Sequence, residues 1–199
     1  MKKQANQSKK SLQIITMGGV FGALAVALAW LIHFPIFPAV PFLEYDAADI
    51  PIYFMTMLTG PVASLLMTAA TCLVQGLTVS ASGGWIGILM HLLATGSFVL
   101  SQSLILRHAK RSLARMIVAI SVGTVASTTA MFLWNLLFTP LYMGVSRSVV
   151  LGLMPWILLF NLLKAGGNGT IALLLYLAGK KAFGRAFSLQ ESDPKSQDL

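Results

Sequence analysis

From Leu151 to Ala178 the chain runs through an apolar stretch that holds one charge, Lys164. Asn161 stands three residues before it and Asn168 four residues after. On a helix those offsets bring all three side chains to one face. A lysine at mid-bilayer depth costs roughly 2.5–3.5 kcal/mol on insertion scales. It lies about 13 residues from either end of the run, roughly 20 Å of helix, which is too far for easy snorkelling. The face is therefore expected to look into a protein interior or onto a polar ligand. Packing of the ammonium against a carbonyl of a neighbouring helix is the alternative. Intramembrane charges are by default functional.

The rest of the sequence agrees with a membrane setting. Of its 199 residues 56% are hydrophobic and only 10% charged, with mean hydropathy +0.78. Soluble domains carry about 25% charged residues. The net charge of +8 does not point to nucleic acid, because its basic residues are sorted by position. Lys2, Lys3, Lys9 and Lys10 precede the first apolar run, and Arg107, Lys110, Arg111 and Arg115 share one loop. Lys180, Lys181, Arg185 and Lys195 follow the last run. The positive-inside rule puts all three clusters in the cytoplasm. The first run, from about Leu12, is too long for the apolar core of a signal peptide and lacks an A-x-A exit, so it is expected to be a true span. The single Cys72 excludes internal disulfides and cysteine-based metal clusters.

These patterns predict an all-α protein of the cell membrane with six transmembrane helices and both termini cytoplasmic. Residues 1–11 are a basic cytoplasmic start, 12–182 a six-helix membrane domain and 183–199 a polar cytoplasmic tail. The first span carries Gly19, Ala23 and Ala27 at four-residue steps, a small-residue stripe that lets another helix approach closely. Internal packing and docking to a partner explain it equally well. The segment H-F-P-I-F-P-A-V-P-F-L-E-Y-D-A-A-D follows, apolar for an exposed loop, with Phe34, Phe37, Phe42 and Tyr45 and three acidic residues, Glu44, Asp46 and Asp49. Its prolines cannot continue a helix. It is expected to fold back as an aromatic lid on the outer side. Asp49 suits the N-cap and Pro51 the first turn of a short second helix that ends near Thr59-Gly60-Pro61. The third span runs to about Leu77 and contains Gln75. After the turn S-A-S-G-G the fourth runs from about Trp85 to Leu106, with His91 and Gln102. The fifth covers about Met116 to Leu137, with Asn135, and a short loop bearing Arg147 leads to the sixth.

No G-x-x-x-x-G-K-[ST] loop is present, so the chain has no P-loop of its own with which to use ATP. No carboxylate is expected inside a span, which removes the usual relay of a proton- or sodium-coupled pump. An intramembrane enzyme built on Ser82 and His91 is the rival reading. It lacks the leading glycine of a G-x-S-G elbow and an orienting carboxylate. His91 has no second histidine at metal spacing. What remains is a binder, with a small bundle, an aromatic lid (Phe37, Tyr45) and a face of Asn161, Lys164 and Asn168. Such groups suit a planar heterocycle with polar edges: asparagine donates and accepts, lysine donates and aromatic rings stack. A structural bundle with no ligand is the third reading.

The small-residue stripe, the F-P-I-F-P loop, D-I-P opening helix two and F-N-x-x-K at Phe160–Lys164 together resemble the S components of energy-coupling factor (ECF) vitamin transporters. The resemblance covers residues 12–182 and is strongest to the riboflavin-binding (RibU) members. It implies a six-helix fold with substrate held under the first loop by Asn161 and Lys164, and Asn135 matches the fifth-helix asparagine of those members. It implies docking through helix one onto a transmembrane scaffold, EcfT, driven by two ATPases. No cofactor is expected, and riboflavin enters as cargo; pantothenate or folate is the alternative within the class.

Overall fold

The structure is a computed structural model that describes residues 2–107 and 111–182. The expected tail, 183–199, and Lys110, Arg185 and Lys195 lie outside the described residues. Six α-helices are present among them: α1 (Lys2–Leu31), α2 (Asp49–Thr59), α3 (Pro61–Leu77), α4 (Gly84–Leu106), α5 (Leu113–Met143) and α6 (Arg147–Ala182), with a 3₁₀ turn at Ala81–Gly83 before α4. α1 begins at Lys2, so the basic start lies within this helix.

The expectation of a wholly helical chain needs one correction. His33–Pro35 (β1) and Glu44–Asp46 (β2) pair antiparallel, in the register His33 with Asp46, Phe34 with Tyr45 and Pro35 with Glu44. The prolines that bar a helix leave the backbone extended, and pairing the strands satisfies its polar groups. The hairpin tip is not a free loop. Val40 is fully buried against Val150, Met154 and Ile157, while Phe37 packs on Trp156 and Phe42 on Tyr142.

Four helices are long and apolar enough to cross a membrane: Ser11–Leu31, Ala81–Leu106, Leu113–Met143 and Arg147–Ala182. The third helix is a shorter apolar one, and α2 has 11 residues. At 1.5 Å per residue α2 is about 16 Å long, short of the roughly 30 Å apolar core of a bilayer. It needs no lipid contact, since every residue except Phe54 and Thr59 is buried. Gly60 turns α2 into α3 at φ 85°, a conformation that glycine adopts without a Cβ clash. The last helix has the opposite excess: 36 residues make about 54 Å, so its first turns extend past one bilayer width and are covered by the hairpin. Arg147 opens this helix rather than lying in the loop before it.

The core lies around α2, which packs on α6, α1, α3 and α4, and extends along α4, α5 and α6. Tyr53 stacks on Phe98 with ring centroids 3.7 Å apart. Gly123 and Gly169 admit that ring from the other helices: a Cβ on Gly123 would stand 3.1 Å from it and one on Gly169 3.0 Å. Helix order then sorts the two ends of the bundle. The hairpin, the 3₁₀ turn and the starts of α2, α4 and α6 share one end. The described basic residues Arg107, Arg111, Arg115, Lys180 and Lys181 gather at the other.

Candidate functional site

Under the hairpin lies a cavity of about 460 Å³, walled by α2, α4, α5 and α6. Its volume falls within the ~300–1,000 Å³ of small-molecule sites. Its polar lining includes Glu44, Asp46, Asp49, His91, Asn161 and Lys164, and Phe42, Tyr53, Tyr142 and Phe160 supply the aromatic walls.

The charge that dominates the sequence is answered here. The Lys164 Nζ donates to Asp46 Oδ2 at 2.6 Å, with both side chains largely buried. One turn further on, Asn168 holds the same strand twice. Its Nδ2 donates to the Asp46 carbonyl at 3.1 Å, and its Oδ1 accepts from the Tyr45 hydroxyl at 2.6 Å. Burial pushes the Tyr45 phenol above its usual pKa, so it stays a donor at neutral pH. Asp46 Oδ1 accepts from the backbone N–H of Ala48, turning the chain into α2.

A second carboxylate sits deeper. Asp49 Oδ1 accepts from Thr95 Oγ1 at 2.7 Å and lies 3.2 Å from His91 Nε2. The expected capping of α2 by Asp49 is not made: its side chain forms no cap bond and Ala48 occupies the N-cap position. Asp49 turns across to α4 instead. Two sequence expectations fall with it: a buried carboxylate does lie among the helices, and His91 does have one to orient it. Ser82 also lines the cavity, but among the described residues no hydrogen bond joins it to His91.

The predicted site residues divide into two groups. Asn161 and Lys164 line the cavity. Asn161 Nδ2 donates to the Ile157 carbonyl, which leaves its Oδ1 available. Tyr45, Asn168 and Phe37 do not line it; they fasten the hairpin to α6. Asn135 is buried within α5, donating to the Met131 carbonyl and accepting from Thr139. Of the stripe on α1, Gly19, Ala23 and Ala27 are all exposed, while Ala25 and Ala29 pack inward. Asp46, Asp49 and Tyr53 line the cavity although the sequence pattern does not assign them to the site, and His91 lines it although the sequence offers it only as the base of an enzyme. Charge arithmetic points to the first two: the chain's other three acidic residues besides Glu44, namely Glu191, Asp193 and Asp198, all lie in the tail, so a buried lysine has only the hairpin to pair with.

Residues 13–176 match the family described as "ECF transporter, substrate-specific component". The chain belongs to that family. It is therefore the substrate-specific component of a transporter, from a family of transport subunits rather than enzymes. Its fold is similar to that of a solved structure, "Structure and mechanism of the S component of a bacterial ECF transporter", with TM-score 0.73 and 26% identity over 86% of this chain and 98% of that one. No curated protein matches the chain.

Breaking a buried ion pair by removing one partner costs about 3–5 kcal/mol, because the other charge is left unanswered. Lys164→Ala and Asp46→Ala are each expected to lower the melting temperature of the empty protein. The double variant Asp46→Ala/Lys164→Ala should recover part of that loss. Melting temperatures that fall additively, with no recovery, would show that the two side chains do not depend on each other.

Proposed function

We propose that this S component captures riboflavin from outside the cell. The observation that carries the reading is the cavity beneath the pinned hairpin, with Asn161 and Lys164 of F-N-x-x-K in its lining and aromatic rings beside them. A flavin ring system has an apolar face for stacking and a polar edge that donates and accepts. Phe160, Phe42 and Tyr53 offer apolar contact, and Asn161 and Lys164 meet the edge. Tyr45, Asn168 and Phe37 act by holding the lid in place, and Asn135 by bracing α5.

The same reading makes all six helices membrane-embedded in the cell membrane, with both termini and the basic end cytoplasmic and the hairpin outside. Family membership implies partnership with the EcfT scaffold and two ATPases. The exposed stripe of Gly19, Ala23 and Ala27 supports docking of α1 on that scaffold, since small side chains allow close helix approach in lipid.

Purified protein should bind riboflavin stoichiometrically and quench its fluorescence. Asn161→Ala should weaken that binding by about tenfold, the equivalent of one hydrogen bond of ~1.4 kcal/mol. Tight binding of pantothenate or folate with none of riboflavin would sink the cargo while leaving the transporter class intact.

Topology is open to thiol labelling, because the native Cys72 is buried. Cysteines placed at Phe34 and at Ala114 should react with an impermeant reagent from opposite sides of the membrane. Reaction of both in intact cells would refute the arrangement.

Docking predicts a separation of functions. Ala23→Trp should abolish uptake in cells carrying the full transporter while the isolated subunit binds substrate with unchanged affinity. Equal loss of both would return the stripe to internal packing.

A further inference from the structure

A second pocket, of about 540 Å³, opens at the opposite end of the bundle, between the α2–α3 corner and the end of α4. It is lined by Thr56, Gly60, Pro61 and Val62 on one side and by Ser103, Arg107 and Arg111, among others, on the other. Three observations point to one ligand chemistry. Arg111 is only 9% exposed, and no hydrogen bond or ion pair to it is found among the described residues. A guanidinium so enclosed calls for an anion, and its planar fork suits phosphate oxygens. Ser103 is likewise 9% exposed, and its hydroxyl has no partner among the described residues. A buried hydroxyl without a partner costs free energy that an incoming acceptor would recover. Finally, α3 starts in the pocket wall with no side-chain cap, so its first-turn N–H groups and the positive end of its dipole add to the same field.

The walls next to these polar groups are apolar. Val62, Leu100 and Leu104 line the pocket and are exposed at the outer surface of the bundle, where the acyl chains of a bilayer would lie. We propose that this pocket binds a phosphate group, held by Arg111, Arg107 and the Ser103 hydroxyl. A phospholipid headgroup and a soluble phosphate offer that same chemistry; only the lipid also uses the leucine flank.

The test measures thermal stability of the detergent-purified full chain while titrating three probes: short-chain phosphatidylglycerol, short-chain phosphatidylcholine and inorganic phosphate. The first should raise the melting temperature in a saturable way. Arg111→Gln should raise the concentration needed by about tenfold or more, in line with loss of a charge-assisted bond. Ser103→Ala, which removes a single buried oxygen, serves as the second variant should Arg111→Gln fold poorly, and a shift of the titration in the same direction is expected. Stabilisation by phosphatidylglycerol well beyond that by inorganic phosphate identifies a lipid. Equal stabilisation by both, still sensitive to Arg111, identifies a soluble phosphate in the same site. No saturable effect of any anion, or an effect equal in wild type and both variants, overturns the proposal. Riboflavin affinity, read at the other end of the bundle, should not change in either variant.

Discussion

The ion pair between Lys164 and Asp46 is the contact on which the site depends. Neither charge is tolerable alone where it sits: the lysine lies midway along an apolar helix, and the carboxylate is shut beneath a hairpin. Together they join the hairpin to the last helix, across 118 residues of chain. Asn168 reinforces the join one turn away, and the direction of β2 then delivers Asp49 into the bundle, where His91 and Thr95 receive it. Removing the lysine would therefore disturb the hairpin and the lining of the cavity together.

Close helix packing makes the rest possible. The second helix is short and surrounded by its neighbours, so its polar residues meet protein and not lipid. Stacking of Tyr53 on Phe98, with Gly123 and Gly169 clearing space for the ring, brings α2, α4, α5 and α6 near enough to enclose a cavity. Packing of this kind is the main source of helix association in a bilayer, where burial of apolar side chains gains little over lipid. The small residues Gly19, Ala23 and Ala27 of α1 present the same kind of close-packing surface on an exposed face.

The two ends of the bundle differ in chemistry. The hairpin end gathers Glu44, Asp46, Asp49, His33 and His91 around a cavity beneath the aromatic and aliphatic contacts of the hairpin. The other end carries arginines and lysines and has a pocket open toward the apolar surface. This segregation of charge gives the two ends of the bundle distinct surroundings, acidic and histidine groups at one and basic groups at the other.

The sequence by itself determined the membrane class, the number and order of helices, the extents of α2 and α3 to within a residue or two, and the face shared by Asn161, Lys164 and Asn168. These follow from hydropathy, from proline and glycine placement and from the 3.6-residue helical period, all local properties. It also contained, unused, the fact that only the hairpin could supply the lysine's counter-ion. What it could not determine was which of three neighbouring acidic residues would do so, or that Asp49 would leave the N-cap for His91. Those choices depend on the depth to which β2 descends along α6 and on the angle at which α4 crosses α2. The tertiary structure likewise decided that Tyr45 and Asn168 bind each other while Asn161 faces the cavity. Asn161 and Asn168 lie on a helix read correctly from the sequence, but a hydrogen bond between residues 123 apart is fixed by packing across the whole bundle and by no local pattern.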